Sequence, residues 1–203
     1  MTDFFLAVIL ISAILMSGVR RVKLLISGYT VQAFCIFAIS FLTAVRTNDK
    51  HYYVIAIMTL LAKVIIVPLI LTHSLRKIKT RIELTPILNS FWSYTLTIIS
   101  IALASYVSSA SNILYIKEAI SLSIVGSLLL IGRRKALSQM IGFLVIENGL
   151  MLFELSLIKL SFLIEFAIVV EAIILFIIMA IVIGNINAAF DTTNTDYLSD
   201  LKE

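Results

Sequence analysis

Three ionisable residues stand in the middle of long apolar stretches: Lys63, Glu147 and Glu171. Glu147 lies in RRKALSQMIGFLVIENGLMLFEL and Glu171 in the segment that follows, FLIEFAIVVEAIILFIIMAIVIGNI. A carboxylate at the centre of a bilayer costs roughly 3 kcal/mol on insertion scales, and such groups face a bundle interior or a wet cavity. Burial raises a carboxyl pKa and a nearby cation lowers it, so movement of water or a lysine can load and unload a proton. The chemistry open to this set is therefore proton or ion transfer at mid-membrane. Lys63 is expected to face the protein interior as the counter-charge, with Glu147 its first candidate partner. Pro68, five residues on, removes the helical bond to the Val64 carbonyl and leaves a polar, kinked spot.

Three further carboxylates are secondary candidates. Glu154 is seven residues from Glu147 and nearly on the same helix face. Glu165 lies in the outer half of the next segment, and Glu118 sits beside Lys117 near the end of an earlier one. Each has a bland reading beside the functional one. Glu147 could be a protonated carboxyl bonded to helix backbone, and Lys63 a fixed structural partner. Glu154 and Glu165 could lie at the interface, and Lys117 can snorkel to it.

These residues need long helices to position them. The chain has 203 residues, of which 61% are hydrophobic and 14% charged, with a mean hydropathy of +1.09. Apolar blocks of the length needed to cross a hydrocarbon core of ~30 Å recur along it. The reading is an all-α, polytopic transmembrane bundle of about seven helices and no separate soluble domain. The spans fall near 3–19, 24–45, 52–73, 86–107, 113–132, 136–157 and 162–187, followed by a polar tail over 188–203. Pro86 would open the fourth, where its missing N–H is harmless. Tyr29, Gln32 and Cys35 mark a protein-facing side of the second. Ala119, Ser123 and Ser127, spaced four apart in the fifth, form a small-residue stripe that permits close helix approach. The first span lacks a basic lead-in and a small-residue cleavage site, so it is expected to be retained.

The net charge of +4 does not point to nucleic acid, because the cations cluster in short loops. Loops after the first, third and fifth spans hold Arg20, Arg21, Lys23, Arg76, Lys77, Lys79, Arg81, Arg133, Arg134 and Lys135. Loops after the second, fourth and sixth hold Arg46, Lys50 and Lys159. The positive-inside rule then places the N-terminus outside and the C-terminus in the cytoplasm. One cysteine, Cys35, cannot ligate an iron–sulfur cluster alone. His51 and His73 fall at span ends, which disfavours a buried haem. No nucleotide loop, zinc motif or nucleophile triad is present, and the chain is expected to carry no cofactor or metal.

The last three spans resemble the K subunit of respiratory complex I, itself related to the C subunit of multisubunit cation/proton antiporters. The resemblance rests on IGRRK ending one helix, MIGFLVIENG in the next and AIVVEAIILF in the last. Glu171 matches that family's third-helix glutamate. The second-helix glutamate position falls at Leu144, with Glu147 one turn further on, a displacement of ~4.5 Å on the same face. With four preceding helices and its ENG motif, the whole chain is similar to component E of hydrogenase-4. That resemblance implies a non-catalytic, non-redox subunit of a complex I-related hydrogenase or formate hydrogenlyase in a prokaryotic inner membrane. It implies antiporter-like neighbours and a cytoplasmic hydrogenase module, with a nickel–iron centre and iron–sulfur clusters in those partners. Two other classes compete: a stand-alone small transporter, which inverted repeats would favour, and a membrane anchor whose charges only fix helix packing.

Overall fold

The computed structural model describes residues 2–77, 89–109, 111, 114–133 and 136–156. They form helices throughout: α1 (Thr2–Gly18), α2 (Val22–Thr47), α3 (Lys50–Met58), a π-helical segment (Thr59–Ile66), α4 (Val67–Lys77), α5 (Ser90–Ser108), α6 (Ile116–Ile131) and α7 (Ala136–Ser156). The π segment joins α3 to α4 without a break, so 50–77 is one continuous helix. Four of the resulting helices are long and apolar enough to cross a membrane: Val22–Thr47, Tyr52–His73, Ser90–Ser108 and Leu137–Ser156. At ~1.5 Å per residue, α1 and α6 are shorter rods of 17 and 16 residues. The seventh expected span, 162–187, and the 188–203 tail lie outside the described residues.

Helix is the only economical answer for these segments, because a backbone in hydrocarbon must satisfy its own polar groups. Serine and threonine solve the same problem for their hydroxyls by donating to a carbonyl one turn back. Ser40 bonds to the Ile36 carbonyl, Thr97 to Ser93, Ser121 to Lys117 and Ser127 to Ser123. Chain reversals use the left-handed region twice: Asn48 ends α2 at φ 52° and Tyr115 precedes α6 at φ 60°. Asn48 is suited to that conformation, and its N–H closes the helix on the Ala44 carbonyl.

α2 is the hub. It packs against α1, α3, α4, α7 and the π segment, and buries Leu25, Tyr29, Gln32, Ala33, Ile36 and Ile39 among others. The tightest pairing is α6 on α7. A Cβ on Gly126 would lie 2.6 Å from the Ile146 nitrogen, and one on Gly149 would lie 2.8 Å from the Ala119 carbonyl oxygen. Glycine at those points lets two backbones touch, and the expected stripe of Ala119 and Ser123 is the surface Gly149 meets. α5 lies against α1 and α6 and leaves Phe91, Trp92, Ile98, Leu103, Tyr106 and Val107 exposed. Large apolar side chains are exposed on α1, α2 and the 50–77 helix as well. A belt of this extent is a surface made for lipid or for partner helices, not for water.

The fourth span starts later than the sequence reading placed it. Asn89 is extended (φ −60°, ψ 147°) and caps a helix beginning at Ser90, while Pro86 lies outside the described residues. Arg20 and Arg133 lie at one end of the bundle. Arg133, after α6, donates to the Met16 and Ser17 carbonyls at the end of α1. Arg20, before α2, reaches Ser90 at the start of α5.

Candidate functional site

Glu147 lies eleven residues into α7, roughly 16 Å along a 1.5 Å rise, and so near the middle of the span. Lys63 comes from the π segment opposite. Its ammonium is 3.8 Å from Glu147 Oε1, and the two side chains are 0% and 4% exposed. A charge-assisted hydrogen bond runs ~2.7–2.9 Å, so the contact is a loose ion pair sealed from the surface. The lysine also lies 3.3 Å from the sulfur of Met151, a soft, weak acceptor. Thr59 approaches the same sulfur at 3.6 Å while donating to the Ile55 carbonyl at 2.7 Å.

The backbone beneath Lys63 explains how its side chain is presented. Within Thr59–Ile66 the helix is wound in i→i−5 register, and the last bond runs from the Val67 N–H to the Ala62 carbonyl. The register stops there because Pro68 has no N–H to continue it. A π turn holds one residue more than an α turn, a feature found mostly at functional sites. The Val64 carbonyl was the expected site of disruption; in the π register Pro68 instead stands opposite Lys63's own carbonyl. The sequence reading placed the defect one residue off because it assumed α winding.

Two buried amides lie in the same interior: Gln32 on α2 and Asn148 on α7 are fully buried, and among the described residues neither amide oxygen nor amide nitrogen has a hydrogen-bond partner. Buried amides of this kind are normally satisfied by ordered water. α2 packs on α7, and Gln32 lies ten residues into α2, the same depth from the basic end as Glu147 to within about a turn. The three residues of ENG therefore divide the work of α7: Glu147 addresses Lys63, Asn148 is buried in the bundle, and Gly149 seats the helix on α6.

Of the secondary candidates, Glu118 is half-buried in the first turn of α6, and Glu154 is half-buried near the end of α7. They share the end of the bundle where Ser156 donates to the Leu114 carbonyl, about 10 Å along α7 from Glu147. Neither joins the Lys63 pair. Glu165 and Glu171 lie outside the described residues. His73 is exposed in α4, and among the described residues no three His, Cys, Asp or Glu side chains cluster as metal ligands. Thr59, Met151 and Asn148 were not singled out in the sequence. Helical spacing could have found the first two, since Thr59 precedes Lys63 by four residues and Met151 follows Glu147 by four.

Fold and site together define the class: an all-helical bundle with membrane-spanning apolar helices and a buried lysine–glutamate pair at mid-span. Comparison with protein-family models, curated proteins and solved structures gives no match.

Proposed function

We propose that this chain is a non-redox membrane subunit of an ion-translocating assembly, with Lys63 and Glu147 as its mid-membrane proton-handling pair. The observation that carries this reading is the ion pair itself, sealed at 0% and 4% exposure and held at 3.8 Å. A buried pair held at that distance can be coupled or separated. Together the charges neutralise each other; apart, the carboxylate takes up a proton or the lysine loses one. The buried amides of Gln32 and Asn148, without a hydrogen-bond partner among the described residues, are groups that water would satisfy at a similar depth. The finer identity rests on the sequence motifs: a component E-like subunit of a complex I-related hydrogenase, beside antiporter-like subunits and a cytoplasmic [NiFe] module. In that setting Glu171 would be the next proton acceptor, and nickel and iron–sulfur chemistry would stay in the partners. The end with Arg20 and Arg133 would face the cytoplasm of a prokaryotic inner membrane.

The test uses everted membrane vesicles from a strain carrying Glu147→Gln or Lys63→Ala. Glu147→Gln should assemble, as read by co-purifying subunits, and lose most substrate-driven proton movement; Lys63→Ala should impair that movement or assembly. Lys63→Arg should keep part of it. Hydrogenase turnover with an artificial dye should persist. Unchanged proton movement in assembled Glu147→Gln would leave the pair as a packing device and the chain as an anchor.

A further inference from the structure

A second polar site lies at the basic end, far from the Lys63 pair. The end of α1, the start of α5 and the end of α6 surround a cavity of about 20 Å³, lined by Ser17, Ser93, Thr97, Gly132 and Arg133 together with leucines. That volume admits one oxygen-sized atom.

Arg133 is 3% exposed. Its Nη2 donates to the Met16 and Ser17 carbonyls at 3.4 and 3.1 Å, where the negative end of the α1 dipole favours a cation. Its Nη1 is buried with no hydrogen-bond partner among the described residues. Leaving such a donor unpaired is costly. Arg20 stands nearby, its Nε donating to Ser90 Oγ at 3.4 Å, at the positive N-terminal end of α5. Burial first, and the neighbouring Arg20 charge second, push the Arg133 pKa down, so each opposes the charge the site holds. Among the described residues neither arginine has a carboxylate within ion-pair distance. A buried guanidinium thus lines a cavity of one-oxygen volume, with Arg20 and the start of α5 near it. Beside it, Phe91 and Trp92 are exposed on α5, as aromatic rings are at the headgroup level of a membrane.

We infer that this cavity is a phosphate-binding site: one phosphate oxygen enters it to meet Arg133 Nη1, and the rest of the group lies between Arg20 and the start of α5. The phosphate could belong to an anionic phospholipid headgroup or be free in solution.

The full chain, purified and delipidated in a nonionic detergent, would be offered phosphatidylglycerol, diacylglycerol or inorganic phosphate. Binding would be read by native mass spectrometry and by the unfolding midpoint. Phosphatidylglycerol should be retained and raise the midpoint, whereas diacylglycerol, which lacks the phosphate, should do neither. Competition by inorganic phosphate at millimolar levels would assign the site to free phosphate; retention of lipid in its presence would assign it to the headgroup. Arg133→Gln should weaken binding at least about tenfold. Because Arg133 also clasps α1, two milder variants accompany it. Ser93→Leu fills the cavity mouth and Arg20→Gln removes the second cation, and both leave the clasp intact. Either should weaken binding several-fold, Arg20→Gln with the ligand-free midpoint unchanged. Wild-type retention in Ser93→Leu and Arg20→Gln, or equal retention of diacylglycerol, would overturn the assignment.

Discussion

Lys63 and Glu147 offset each other's burial as an ion pair. Truncating one member of a buried pair strands an uncompensated charge and costs about 3–5 kcal/mol, while replacing both by apolar groups is often neutral. Lys63→Met alone should therefore destabilise the chain strongly, and Lys63→Met/Glu147→Leu should recover most of the loss. The check is a double-mutant cycle of unfolding free energies in detergent; additive losses would mean that the two side chains are not coupled. This pairing was legible in the sequence because charges are so rare in these segments that each invites a partner at similar depth. Asn148 and Gln32 were less legible as site residues. A buried amide carries no charge to flag it, and only the structure reveals that both lack partners among the described residues.

Among the elements, the close helix pairings rest on glycines whose contacts differ in kind. A Cβ at Gly149 would meet Ala119 and Ser123 backbone atoms at 2.8 and 2.9 Å, whereas one at Gly28 would meet the flexible Met16 side chain at 2.5 Å. Backbone cannot step aside and a methionine can. Gly149→Ala should cost about 1–3 kcal/mol as an overpacked interface, and Gly28→Ala distinctly less, as measured by thermal unfolding of the two variants. Helix positions were readable from the sequence because blocks of apolar residues fix spans almost regardless of detail. Two things were not. The start of α5 falls at Ser90, after an extended Asn89. The π winding at Thr59–Ile66 is a choice of hydrogen-bond register, to which hydropathy is blind; Pro68 hinted at a defect without saying which.

For the molecule as a whole, the alternation of cation-rich and cation-poor loops along the sequence makes the topology testable. In a Cys35→Ser background, a cysteine in the 108–112 loop should react with an impermeant thiol reagent from outside intact cells. A cysteine at 77–80 should react only after the membrane is opened. Labelling of both from the same side would contradict the bundle's alternation. The clasp of Arg133 on the Ser17 carbonyl joins residues 116 positions apart, and that distance is also a delay. A ribosome adding ~5–20 residues per second needs roughly 6 to 23 s between delivering the end of the first helix and delivering the arginine that caps it. Through that interval the first helix must hold its place in the bilayer with its last carbonyls turned to water or headgroups. The bundle is thus closed by a late arrival: the start of the chain is fastened only once two-thirds of it has been made.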